Sequence, residues 1–150
     1  MIFFTLEEKI SIIEYYKQKN QKIMKKVKYL GIWMDHSIAY LMGFSENPTE
    51  KRTIESKFTH EEREMSKEKG ENRMHNKEQQ LQAAYYKELG DVIENYEEVV
   101  LFGPTDAKVE LFNVLKADHH FDNIKIEVKR TDKMSENQQQ AYVRDYFINH

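Results

Sequence analysis

The sequence predicts an α/β chain in three layers: a mixed five-stranded sheet, order 3-2-1-4-5, with helices on both faces and one more helix at the N-terminus. Three observations lead there. Two apolar runs, Tyr29–Met34 and Ile38–Phe44, stand three residues apart, and a third run alternates polar and apolar residues soon after. Two further short apolar runs, Glu98–Phe102 and Ile124–Val128, are interleaved with segments of helical period. At 150 residues the chain is most simply one domain, and it can bury a core without staples.

The first helix is expected from Thr5 to Met24. Thr5 and Glu8 have capping-box spacing, and Leu6, Ile10, Ile12 and Ile13 recur at helical period. Its far end turns basic through Lys17, Lys19, Lys22, Lys25, Lys26 and Lys28. These lysines read either as a solvated face near a helix C-terminus, where cations suit the dipole, or as an RNA-facing patch. Residues 1–24 are expected to be an extension on an α/β domain of residues 25–150, and Met24 is an alternative natural start.

Asp35, His36 and Ser37 join the first two strands at hairpin spacing. Glu46, Asn47 and Pro48 make the next turn, and Arg52 to Phe58 completes an antiparallel meander. Thr59 to Gln80 then reads as a charged loop: eleven of its positions are ionic, and Met65 and Met74 are its only apolar residues. A polar loop of that length inside a small domain is usually functional or disordered. A helix is expected from Asn76 to Asn95, with Leu81, Ala84, Tyr85, Leu89, Val92 and Ile93 as its buried stripe. The Glu98–Phe102 run has the continuous apolar character of a strand buried on both faces. After Gly103 and Pro104, Thr105 is expected to cap a helix through Ala117, with Val109, Phe112, Val114 and Leu115 available to pack. Ile124–Val128 is the fifth strand. Ser135 and Gln138 form a second capping box, opening a last helix to about Phe147 that packs through Ala141, Tyr142 and Tyr146. The order βββαβαβα, with strand 2 antiparallel, resembles the ribonuclease H-like arrangement.

Composition narrows the chemistry. The chain has no cysteine, so disulfides and thiolate metal sites are excluded. No run approaches the ~20 apolar residues that span a bilayer. The start MIFFTLEEK has neither a basic n-region nor a small-residue cleavage site, so a cytoplasmic location is expected. Net charge is -3, unevenly spread: +3 over residues 1–58 (ten basic, seven acidic) and -6 over residues 59–150 (thirteen basic, nineteen acidic). Such a chain is a poor generic nucleic-acid binder, and only local basic patches could hold RNA.

The segment from Leu101 to Lys108, LFGPTDAK, ends a strand, turns at glycine and opens a helix. Free N–H groups and the dipole make such a helix start an anion site, which makes Gly103, Thr105 and Lys108 anion-binding candidates. It is no Walker A loop, because the second glycine and the GK[ST] triplet are missing. The same residues also read as an ordinary cap, with Thr105 satisfying a backbone donor and Asp106 suiting the positive helix end. In a ribonuclease H-like nuclease, carboxylates hold two divalent metals for phosphodiester cleavage, and Asp35, Asp106 and Asp132 are the available set. Asp35, however, stands where a turn calls for a polar residue. His60, His75, His119 and His120 show no metal-ligand spacing on one element, and no GxSxG or HExxH motif is present. No cofactor or metal is expected. Trp33 reads as core rather than as a base-stacking platform.

From about Lys28 to Phe147 the chain resembles the central domain of eukaryotic and archaeal class-1 release factors and its counterpart in Pelota. GIWMDHSIAYLMGF corresponds to the meander, Thr59–Gln80 to the charged loop, Gln79–Asn95 to the long helix, and VVLFGPTDAKVELF to the strand–Gly–helix unit. Gly103, Asp106 and Lys108 stand at the places that the family leads one to expect. The ending TDKMSENQQQAYVRDYF resembles that of small bacterial stand-alone proteins related to this domain. Release factors carry Gly-Gly-Gln in the loop: the glycines let the backbone enter the peptidyl-transferase centre, and the glutamine helps position water. Here Lys69-Gly70-Glu71-Asn72 stands instead, with one glycine and no adjacent glutamine. The resemblance therefore implies a non-catalytic protein of the translation machinery, as Pelota also lacks the tripeptide and works without hydrolysis. Its expected partners are the ribosome, rRNA or tRNA, contacted through Lys25, Lys26, Lys28, Lys67, Lys69, Arg73 and Lys77. The alternatives are the metal-dependent nuclease and a protein-interaction module that docks through the loop and the N-terminal helix.

Overall fold

Short continuous apolar runs become the central strands here because both faces of the sheet are covered. The computed structural model describes residues 4–24, 28–44, 51–57 and 71–149. In chain order the elements are α1 (Leu6–Met24), β1 (Tyr29–Met34), β2 (Ile38–Phe44), β3 (Lys51–Glu55), α2 (Glu71–Ile93), β4 (Glu98–Gly103), α3 (Ala107–Lys116), a 3-10 turn (His119–Phe121), β5 (Lys125–Arg130) and α4 (Glu136–Ile148). The sheet order is β3-β2-β1-β4-β5, as the sequence predicts. β2 is antiparallel to both β1 and β3, while β1, β4 and β5 run parallel. Ile32 sits between Leu41 and Leu101 in the register, at the centre of the sheet.

Alternation divides the core in two. Leu30, Ile32 and Met34 of β1, with Val99 and Leu101 of β4, meet Tyr85, Leu89 and Ile93 of α2 and Leu111 and Leu115 of α3. Trp33, Val100 and Phe102 point to the other face and meet Val143, Tyr146 and Phe147 of α4. Each fully buried large side chain stabilises by roughly 1.5–3 kcal/mol, so these two half-cores hold the layers together. α4 sits close because β1 offers it a glycine: a Cβ on Gly31 would lie 2.2 Å from one Val143 methyl.

Both capping boxes form. The Glu8 N–H donates to Thr5 Oγ1 at 3.2 Å and the Thr5 N–H to Glu8 Oε2 at 3.1 Å. Ser135 and Gln138 do the same for α4. The expected apolar stripe of α1, by contrast, stays exposed: Leu6 is 74 % and Ile13 53 % accessible.

Several bounds move. α2 begins at Glu71 rather than near Asn76, so the predicted loop 59–80 gives up its last ten residues to helix. Glu, Arg, Met, Lys and Gln there are good helix formers, and Arg73, His75 and Lys77 are exposed, so no apolar period marks the turn. Residues 58–70 lie outside the described residues. β3 is Lys51–Glu55 instead of 52–58, anchored by buried Ile54 opposite Ala39. β5 runs two residues further than expected, to Arg130. Ala84 is exposed on α2 and Tyr86 is buried in its stead, as Tyr86 faces α3. On α3, Val109 and Val114 are exposed and Leu111 packs beside Leu115. On α4, Gln139, Val143 and Phe147 join Tyr146 in the interior, while Ala141 and Tyr142 are half-buried.

Candidate functional site

Five of the predicted site residues, Asp35, Gly103, Thr105, Asp106 and Lys108, lie just where β1 and β4 end. Asp35 follows β1, and its Oδ1 accepts from the backbone N–H groups of Ser37 (2.7 Å) and Ile38 (2.8 Å). This is an Asx turn, which closes the β1–β2 hairpin. The Tyr85 hydroxyl donates to the Asp35 carbonyl at 3.0 Å, and burial first, then the Asp35 charge, pushes that phenol well above its ordinary value. His36 Nε2 lies 2.6 Å from Glu110 Oε2, and the Tyr86 hydroxyl donates to the other Glu110 oxygen at 3.4 Å. The hairpin is thus tied to α2 through Tyr85 and to α3 through His36.

Across from it, Gly103 has φ +144°, and a Cβ there would lie 2.3 Å from the Met34 carbonyl oxygen. Only glycine lets the two strand ends approach so closely. The Asp106 carbonyl accepts from the N–H groups of Val109 (2.9 Å) and Glu110 (3.1 Å). Asp106 is therefore the N-cap of α3 in place of Thr105, and it makes no side-chain cap bond. Thr105 Oγ1 accepts from the Ala107 N–H at 3.4 Å. Lys108 is buried, 3 % accessible, and its ammonium donates to the Thr105 carbonyl. Burial holds its pKa below the usual lysine range; Asp106 opposes that and Arg130 adds to it. Gly103, Thr105 and Lys108 do come together in one turn, and there the lysine closes the turn on itself.

The three carboxylates of the nuclease alternative form no group that could hold a metal ion. Asp35 serves the hairpin, Asp106 begins α3, and Asp132 is exposed in the loop after β5. Among the described residues no three His, Asp or Glu side chains are arranged to hold a metal ion. His119 and His120 each pair with a neighbouring carboxylate instead, Asp122 at 3.1 Å and Asp118 at 2.8 Å. The hydrogen bond to Asp118 raises the His120 pKa.

Of the basic candidates, Lys28, Arg73 and Lys77 are exposed. Arg73 and Lys77 are four residues apart on α2 and share one face at its start. Lys28 lines a cleft of about 350 Å³ with Arg52, Glu88, Asp91 and Tyr96. Arg52 has no signal in the sequence, because only the pairing of β3 in the sheet brings it near Lys28. Lys25, Lys26, Lys67 and Lys69 lie outside the described residues.

No protein-family model and no curated protein matches the sequence. Solved structures do resemble it. Pelota from Archaeoglobus fulgidus superposes with a TM-score of 0.53 at 8 % identity, over 97 % of this chain and 38 % of that one. Pelota from Thermoplasma acidophilum gives 0.49 at 12 % identity, over 100 % and 39 %. The archaeal translation termination factor aRF1 gives 0.48 at 13 %, over 81 % and 38 %. The chain spans less than two fifths of each of these proteins' length. No helix among the described residues is long and apolar enough to cross a membrane. What the likeness to the first of these proteins shows is the fold: this chain is folded like part of an archaeal Pelota.

Proposed function

We propose that the protein is a non-catalytic component of the translation machinery that contacts ribosomal RNA or tRNA through its charged segment and the basic residues around it. The residues assigned to that contact are Lys25, Lys26, Lys28, Lys67, Lys69, Arg73 and Lys77. The observation that carries the reading is the Pelota-like fold over nearly the whole chain. The exposure of Arg73 and Lys77, at the point where the charged segment enters α2, supports it. Lys69-Gly70-Glu71-Asn72 lacks the glycine pair and glutamine that hydrolysis would need, and Glu71 already belongs to α2. The test is cosedimentation with ribosomes at low salt. The wild type is expected in the ribosomal pellet, and a Lys67/Lys69/Arg73/Lys77 to alanine variant, folded by circular dichroism, in the supernatant. Wild-type protein that stays in the supernatant overturns the reading.

A second reading rests on α1. Phe4, Leu6, Ile10, Ile13 and Tyr16 are all at least 47 % accessible, an apolar face of the kind that marks an interaction site. Its natural occupant is a second copy of the same helix. The first half of α1 carries Glu7, Glu8 and Glu14 against Lys9, and the second half carries Lys17, Lys19 and Lys22. Antiparallel pairing sets acidic half against basic half and opposes the two helix dipoles.

A further inference from the structure

The cleft beside Lys28 holds about 350 Å³, a volume that suits a small organic ligand. Its lining carries both signs of charge. α2 contributes Glu88 and Asp91, which stand three residues apart and so share one helix face. Lys28, just before β1, and Arg52, in β3, are the cations. Val92 and Tyr96, both half-buried, add apolar surface.

Two features show that this charge is unmet. Opposite signs line one cleft, yet none of the four ionic residues makes an ion pair with any described residue. The second feature is the helix end. Cations suit a helix C-terminus, but the last turn of α2 holds Asp91 and no basic residue, with Glu88 one turn before it. Hydrogen-bond donors are not what that end lacks. Asn95 Nδ2 donates to the Asp91 carbonyl at 3.1 Å and to the Val92 carbonyl at 3.4 Å. What it lacks is a positive charge in contact, since Lys28 and Arg52 stand in the same cleft beyond ion-pair distance.

We propose that the cleft binds a free apolar α-amino acid as its zwitterion. The ammonium meets Glu88 and Asp91 at the negative end of α2. The carboxylate takes the planar fork of Arg52, with Lys28 beside it, and the side chain lies on Val92 and Tyr96. A peptide terminus carries only one of these charges, and an inorganic ion only one sign. A free amino acid carries both on neighbouring atoms, as the lining does. The proposal goes beyond the translation reading and stands without it.

Arg52, Glu88 and Asp91 are all exposed, so substituting them leaves the core intact. The full-length protein is titrated with L-leucine and followed in a nitrogen–proton correlation spectrum. The amide resonances of Arg52, Val92 and Tyr96 are expected to move and saturate. L-Leucinamide lacks the carboxylate, and N-acetyl-L-leucine lacks the ammonium. Each is expected to bind about tenfold more weakly or worse, the loss of one hydrogen bond between charged groups. Arg52→Met should weaken L-leucine by a similar factor and leave L-leucinamide unchanged. Glu88→Gln/Asp91→Asn should weaken L-leucine and leave N-acetyl-L-leucine unchanged. Resonances that do not move saturably with L-leucine overturn the proposal. So does an affinity for either analogue equal to that for L-leucine, or an L-leucine affinity indifferent to Arg52→Met.

Discussion

Gly31 and Gly103 are both glycines by necessity, but for different reasons, and substitution separates them. An alanine methyl at Gly31 would fall 2.2 Å and 2.8 Å from the two Val143 methyls, which are side-chain atoms. Gly31→Ala is expected to destabilise by about 1–3 kcal/mol, the usual cost of overpacking. Gly31→Ala/Val143→Ala should lose clearly less than the sum of the two single changes, because the second change removes the methyls that clash. A double-mutant cycle by urea unfolding reads this; strict additivity would show that α4 does not sit on Gly31. At Gly103 the obstacle is the Met34 backbone and the positive φ, so no side-chain change can rescue Gly103→Ala. The tyrosines add a pH dependence. Burial raises the phenols of Tyr85, Tyr86 and Tyr146 above the ordinary 10.0. A raised folded-state pKa stabilises fully below the unfolded value and is lost as pH climbs through the folded one. Stability to urea should therefore hold up to about pH 10 and fall beyond it. Tyr85→Phe should lower stability near neutrality by about 1 kcal/mol, through the lost bond to Asp35, yet show a shallower alkaline fall. An equally steep fall in that variant would remove Tyr85 from the alkaline transition.

At the scale of elements, α1 is the one whose apolar period does not end in burial. If two copies pair through it, sedimentation equilibrium should show a dimer that Ile10→Glu/Ile13→Glu converts to monomer. A Lys17/Lys19/Lys22 to glutamate variant should also dissociate, since antiparallel pairing would then set acid against acid at both ends. Dimers unaffected by the lysine changes would exclude that arrangement, and a monomeric wild type would remove the second reading altogether. The failure of the sequence here is instructive, because Leu6, Ile10 and Ile13 state that a face is apolar without stating what covers it. Elsewhere the strands were legible because β1 and β4 are buried on both faces and so are almost wholly apolar. The two capping boxes were legible because they are local. What could not be read was set by tertiary contact. The first turn of α2 has no apolar stripe, so its start at Glu71 left no period to count. Ala84 and Tyr86 traded places because α3, far along the chain, decides which side of α2 is covered. In the same way Asp35 could be read as a turn residue from its neighbours alone. Trp33 and Gln139 come to line one cleft only after β1 and α4 have docked.

For the whole molecule, the decisive quantity is charge. A net -3 opposes RNA binding at long range, so any affinity has to come from short-range contacts of individual basic residues. That makes the proposed ribosome association steeply salt-dependent, with each phosphate contact adding roughly -0.7 to -0.9 to the slope of log affinity against log salt. Of these residues Lys28, Arg73 and Lys77 are exposed, Arg73 and Lys77 at the start of α2 and Lys28 beside its far end. Changing all three to alanine should flatten the slope by roughly 2 to 3 and weaken binding most at low salt, where counterion release is strongest. If ribosome binding persists in the triple variant with an unchanged slope, contact runs through a different surface, and the apolar face of α1 becomes the place to look. If binding of the wild type shows no dependence on salt, phosphate recognition is absent, and the basic residues are ordinary solvated surface.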